Sequence, residues 1–187
     1  MNIFILDNDP ALAAMQQCDK HVVKMIVESA QMLSTAHRML DGRLTKRPSR
    51  SGKRMVSCYV MDDRREDVIM KAVHFNHPCT KWTMESSGNY RWHWTHLRAL
   101  CREYTHRYDK THRVETERLK ILKKPPDNIP RGSLTPFRLA MKDCPECAAL
   151  GDPVEAYRAF YQTKQDRFPM VWTRREVPEW FNFKETN

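Results

Sequence analysis

Glycine is scarce in this chain of 187 residues: five glycines stand against eleven methionines. That balance disfavours a turn-rich β fold and favours helices. No run approaches the ~20 consecutive apolar residues of a membrane-spanning helix, so no membrane partner is expected. The opening residues MNIFILDNDP lack a basic start and turn acidic at Asp7. They do not read as a secretory leader, and a cytoplasmic, intracellular protein is the expectation. No second CxxC and no HxxxH follows Cys144-Pro145-Glu146-Cys147. That motif is half of a zinc site, which remote residues such as Cys58 or Cys79 would have to complete. Disulfides are disfavoured inside cells, so free cysteines are expected instead, with Cys18 and Cys101 packed in helices. Neither a cofactor nor a metal is expected. A metal-dependent nuclease would have to draw ligands from His21, Glu28, His37 and His77, and no acidic cluster of the usual oxygen-ligand type accompanies them.

What the chain has in excess is positive charge. Lys and Arg number 32 against 23 Asp and Glu, a formal charge of +9. Such a surplus on a small protein points to a polyanionic partner, most simply nucleic acid. The stretch Gly42–Arg54 concentrates it: Arg43, Lys46, Arg47, Arg50, Lys53 and Arg54 occur with no acid among them. Pro48, Ser49, Ser51 and Gly52 mark the stretch as a loop, and single-sign charge on a loop suits phosphate contact. The expected partner is double-stranded DNA, bound by a monomer.

The pattern predicts a mainly α fold: one compact helical domain over residues 1–187, with long irregular loops and at most a short strand pair. Pro10, Pro78 and Pro153 each stand where a helix can begin. The apolar run Asn2–Leu6 reads as a strand or a packed arm, and Met55–Met61 as a short strand. Asp62–Val73 is ambiguous, with a helical turn as one reading. The aromatic-rich segment from Trp82 to Tyr104 reads as two helices broken near Ser87-Gly88, and Thr111–Lys124 as another helix. An irregular stretch over 125–151 should wrap the helices, and an aromatic tail over 168–187 should dock back on them.

Asp19–Leu40 is the longest helical pattern. Val22, Ile26, Leu33, Ala36 and Leu40 recur at spacings of three and four and make a core stripe. His21, Lys24, Glu28, Gln31 and Thr35 interrupt the apolar surface at +3, +4, +3 and +4, so they share one face. A polar seam on an otherwise buried helix needs partners, and it is a place where a site is easily built. The plain alternative is a Lys24–Glu28 pair on a solvated face, worth only ~0.2–0.5 kcal/mol.

Two segments resemble the pyrimidine-dimer DNA glycosylases. One is Asp19-Lys20-His21 followed by Glu28. The other is Asn76-His77-Pro78, leading into a helix that ends Arg102-Glu103-Tyr104-Thr105-His106-Arg107-Tyr108. The resemblance covers roughly half the chain, with different spacing between the segments. It implies a helical enzyme whose N-terminal α-amine attacks a sugar C1′ to form an imine, with Glu28 as the carboxylate and His21 near the DNA-facing helix end. Where the family carries basic residues beside and one turn after the carboxylate, this chain has Val27 and Gln31. Methionine is ordinarily removed only before a small residue, and position 2 is Asn. Either the Met1 amine is the nucleophile, or Lys24 or Lys20 is, if its pKa is depressed, or this chemistry is absent.

The candidate catalytic residues are thus Glu28, His21, Lys24 and Met1. The candidate DNA contacts are the six basic residues of 42–54 together with Asn76, His77 and Arg91. Two other readings stand beside the glycosylase/lyase. One is an enzyme processing a nucleotide or modified base in a pocket that adds His77, Asn89 and Arg91 to the polar seam. The other is a non-catalytic DNA-binding accessory protein, which needs only the basic surface.

Overall fold

The computed structural model of the chain describes residues 1–49 and 51–184, and it is mainly helical with one strand pair. The long helix α2 (Asp19–Asp41) is preceded by the short helix α1 (Pro10–Met15). Both ends of α2 obey their sequence: its apolar stripe is buried from Val22 to Ala36, and Gly42 stops it. A Cβ at Gly42 would meet the Arg38 carbonyl oxygen at 2.4 Å, so the chain can leave the helix there only without a side chain.

The expected proline starts hold. Asp9 caps α1 ahead of Pro10, and His77 caps α4 (Pro78–Glu85). Asp152 caps α7 (Pro153–Gln162) through the Glu155 amide. The aromatic segment is indeed two helices, α4 and α5 (Ser87–Tyr108), broken at Ser86, whose side chain caps α5. α5 packs along α2 and α1, and the buried apolar side chains form one cluster among these helices and α7. No helix among the described residues is long and apolar enough to cross a membrane.

Four expectations change. The basic stretch 42–54 is not all loop: β1 (Arg43–Pro48) pairs antiparallel with β2 (Met55–Val60), Arg43 opposite Val60 and Pro48 opposite Met55. This ribbon is followed by the single turn α3 (Arg65–Val68). Thr111–Lys124 is not a regular helix but a wide π-type turn at Glu115–Leu119 and a tight 3₁₀ turn at Ile121–Lys123. Its carbonyls are claimed from outside, Leu119 by the Trp94 indole (3.0 Å) and Leu122 by the Tyr90 hydroxyl (2.8 Å). The 125–151 wrap contains a helical turn, α6 (Pro145–Ala148). Cys144, just before that turn, and Cys147, within it, expected as free thiols or zinc ligands, are joined as a disulfide. Cys18, Cys58, Cys79 and Cys101 are free, and neither Cys58 nor Cys79 joins the pair in a metal-sized cluster.

The N-terminal residues are a packed arm, not a strand: Ile3 to Leu6 are buried. The wrap is held against the start of α5, where the Ser87 and Gly88 amides donate to the carbonyls of Pro130 and Gly132. A Cβ at Gly88 would lie 2.4 Å from the Ser133 carbonyl carbon, so this approach requires glycine. Asn89 completes the dock, donating to Thr135 Oγ1 (2.7 Å) and accepting from the Thr135 amide (2.8 Å). The aromatic tail docks back as expected, with the Trp172 and Trp180 indoles donating to the Gln16 main-chain and side-chain oxygens.

Candidate active site

The N-terminal half of α2 faces a cavity of about 780 Å³. The arm supplies Met1, Asn2 and Phe4, and α2 supplies His21, Lys24, Met25 and Glu28. His77 and Pro78 come from the start of α4, Leu139–Asp143 from the wrap, and Phe160, Lys164, Arg167 and Phe168 from the end of α7 and beyond. All four candidate catalytic residues therefore meet in one space.

Glu28 sits where the arm crosses the helix. Its Oε2 accepts from the Asn2 amide at 2.8 Å and lies 3.8 Å from the Met1 α-amine, while its Oε1 lies 3.4 Å from Lys24 Nζ. The carboxylate is 15 % exposed and Lys24 65 % exposed, so the carboxylate belongs to the cavity and the ammonium to its mouth.

Asn2, which sequence reasoning passed over, fixes the start of the chain. Its side-chain oxygen accepts from the Ile3 (2.8 Å) and Phe4 (3.2 Å) amides, and its side-chain nitrogen donates to the Ala140 carbonyl (3.0 Å). Phe4 then turns the arm through a left-handed conformation, φ 56°, which costs a non-glycine residue on the order of 1 kcal/mol. The turn places the Phe4 ring 4.7 Å from that of His21.

His21 is 5 % exposed, held between Phe4, Phe168 and Tyr161. The Tyr161 hydroxyl oxygen accepts from the Cys18 amide (2.9 Å) and lies 2.7 Å from His21 Nδ1. The hydroxyl thus joins the start of α2 to the His21 ring and fixes the ring's orientation. Burial, and then the positive charges of Lys24, Lys164 and Lys20, push His21 down to about 3. It is a neutral imidazole at physiological pH, not a cationic phosphate clamp. His77 is lowered as well, by burial first and then by the charge of the α-amine and of His74, with Glu28 opposing.

The polar seam of α2 divides in two. Gln31 donates to the Lys71 carbonyl, and Thr35 bonds the Val73 carbonyl and amide (both 3.2 Å). That half holds the 69–73 segment and takes no part in the cavity. His37 is likewise removed: its ring bonds the Tyr90 hydroxyl (2.8 Å) and Arg65 (2.9 Å) in a buried network, so the four ligands a metal-dependent nuclease would need do not meet.

Of the expected DNA contacts among the described residues, only His77 lines the cavity. Asn76 is exposed just before it, and Arg91 lies on α5, bonded to Ser87 Oγ (3.5 Å). Arg43, Lys46 and Arg47 lie on β1 and Lys53 and Arg54 in the connection, all exposed, while Arg50 lies outside the described residues. Two of the arginines have acidic partners that the run of bases hid: Arg43 with Asp62 (3.3 Å) and Arg47 with Glu66 (3.7 Å). The ribbon begins at the far end of α2, thirteen residues beyond Glu28, about 20 Å along the helix axis.

The helix end of the second resembling segment is structural. Arg107, with no exposed side-chain surface, pairs with Asp19 (3.0 Å) and Glu103 (3.2 Å), and Arg175 from the tail also pairs with Glu103 (2.6 Å). Burial pushes the Glu103 carboxyl up, but hydrogen bonding and charge from Arg175, then Arg107, outweigh it and hold the group below its ordinary value. The network ties the end of α5 to the first residue of α2, and so sets the helix that carries Glu28.

Sequence reasoning also missed Lys164. It is 6 % exposed, its Nζ lies 3.2 Å from the centre of the Phe160 ring, and it lines the same cavity. Burial, then the charge of Arg167, and also that of Lys24, bring it down to about 8, with Asp143 opposing. Lys164 therefore joins the amines of this cavity as one whose pKa is lowered. Comparison of the chain with protein-family models, with curated proteins and with solved structures returns no match, so the arrangement around Glu28 rests on its own geometry.

Proposed function

We propose that the chain is a DNA glycosylase/lyase whose nucleophile is the α-amine at position 1 and whose carboxylate is Glu28. The observation that carries this reading is the meeting of amine and carboxylate, 3.8 Å apart, in a cavity of about 780 Å³. In the proposed reaction the neutral amine attacks C1′ and the bond from C1′ to the base breaks, its electron pair leaving with the base. Loss of the nitrogen proton and opening of the sugar ring give an imine. A base then takes a C2′ proton, and the 3′ C–O bond breaks with the phosphate as leaving group. In this reading Glu28 holds the amine, stabilises positive charge developing on the sugar and relays protons. The damaged nucleotide would have to leave the stack to reach it. The basic ribbon, about 20 Å along α2, suits the flanking duplex, a span of about six base pairs.

A second reading, an enzyme acting on a free nucleotide or modified base, is favoured by the cavity volume, which falls in the range of small-ligand sites. It leaves the ribbon and the charge of +9 without a role. The test is strand scission on duplexes carrying a thymine dimer, uracil or an abasic site, run beside nucleotide turnover. Scission of at least one duplex supports the first reading. Turnover of nucleotides with all duplexes intact replaces it with the second.

A further inference from the structure

Lys164 is a buried ammonium without an anion. Its only hydrogen bond among the described residues is a long one to Thr163 Oγ1 (3.5 Å), and it makes no ion pair among them. An ammonium carries three donors, and burying it unpaired is costly. The neighbours raise that cost: Arg167 and Lys24 line the same cavity and Lys20 sits over Phe168 at 4.5 Å. The lining carboxylates are Glu28, already engaged by Asn2, Met1 and Lys24, and Asp143. Lys164 is not on a floppy stem, since it sits in the 3₁₀ turn Thr163–Asp166 that closes α7, pressed on Phe160. The Lys164 face of the cavity is thus cationic, apolar-backed and incompletely paired, whereas the Glu28 carboxylate is already met by the α-amine of Met1 and by Lys24.

We infer that Lys164 and Arg167, with Lys24 at the cavity mouth, form a phosphate-binding subsite that holds a substrate phosphate in the cavity. This deepens the reading of the cavity as a substrate site and rests on it. Phosphate fits because it offers several oxygens to donors from different elements and because it restores charge balance where the protein does not. The competing account is that the Phe160 face and the carboxyl end of α7 satisfy Lys164 by themselves.

The two accounts differ in sign. The test compares the melting temperature of the full chain and of Lys164→Met in phosphate-free buffer, then titrates inorganic phosphate against a chloride control of equal ionic strength. The subsite predicts that Lys164→Met melts higher without phosphate, since it removes an uncompensated charge. It also predicts that phosphate raises the wild-type melting temperature saturably and binds at least tenfold more weakly to the variant. Competition identifies the source: an oligonucleotide without terminal phosphates displaces phosphate if the group is a backbone diester, and a nucleoside 5′-monophosphate alone does so if it is a free nucleotide. A variant that melts lower, equal phosphate affinity in the two proteins, or displacement by neither competitor overturns the proposal. None of these readouts involves an imine. A chain that binds phosphate through Lys164 yet forms no adduct keeps the subsite and loses the Glu28 chemistry, and the reverse result does the opposite.

Discussion

The amide of Asn2 donates to Glu28 Oε2 at 2.8 Å, so the carboxylate proposed to serve the amine at position 1 is itself fixed by the next residue in the chain. One hydrogen bond registers the arm against α2 and sets the distance between nucleophile and carboxylate. Asn2 holds its own end of this contact through Ala140 in the wrap.

Glu28→Gln preserves an acceptor for the Asn2 amide and removes the charge. Scission of damaged duplex should fall at least 100-fold, in the range typical of an acid–base group. Duplex binding should be unchanged or tighter, because a carboxylate repels phosphate. Titration of a fluorescent duplex beside a scission assay separates the two effects, and parallel loss of both would count against a chemical role for Glu28.

Acid sensitivity should begin well above the carboxylate range. Unfolded histidine protonates near 6.5, whereas folded His21, His37 and His96 hold off to about 3, 4 and 3, burial being the first cause in each. Below 6.5 the unfolded state binds more protons, so the stability these groups contribute is fully present above 6.5 and is lost as pH falls toward 3–4. At pH 5 the loss is about 2 kcal/mol per histidine. The melting temperature should drop steeply between pH 7 and pH 5, and His21→Asn should lose less by about that amount. A flat profile over this interval would refute the assignment.

Arg107 should matter for stability more than any exposed arginine. Replacing it with Met leaves Glu103 buried with Arg175 alone and Asp19 with only its Thr173 hydrogen bonds, an expected loss of about 3–5 kcal/mol. Denaturant unfolding reads this directly. Arg113→Met, at an exposed pair with Glu117, should leave the unfolding midpoint unchanged.

The ribbon should grip DNA unevenly. Lys46, Lys53 and Arg54 make no ion pair among the described residues, whereas Arg43 and Arg47 face Asp62 and Glu66. Each phosphate contact contributes about 0.9 to the slope of log affinity against log salt. Changing Lys46, Lys53 and Arg54 to Gln together should lower that slope by up to about 3, and the Arg43/Arg47 double change by less per residue. Equal effects per residue would mean that the acidic partners do not hold those arginines.

The parts of the fold legible in the sequence were those with a strong period or a strong stop. α2 was readable because its apolar residues recur at three and four and Gly42 ends it, and α1, α4 and α7 because a proline opens each. β1 was not readable: five of its six residues are exposed, so no alternation of apolar and polar marks it. The turns at 115–123 failed to read as such because Trp94 and Tyr90, distant in sequence, take the carbonyls that would continue a helix. At the site, the spacing of His21, Lys24 and Glu28 was legible and their meeting with residue 1 followed only from the resemblance. Lys164 carried no signal, since a lysine past the end of an amphipathic helix looks solvated until the fold lays it on Phe160.

The central claim is that the amine at position 1 attacks a sugar carbon under the control of Glu28. Borohydride reduction of the chain with an abasic duplex, followed by protease digestion and mass mapping of the trapped peptide, tests it most directly. The account predicts a covalent adduct on the α-amine of residue 1, lost in Glu28→Gln. No adduct under conditions where the duplex is cut, or an adduct on a lysine with the α-amine unmodified, would contradict it.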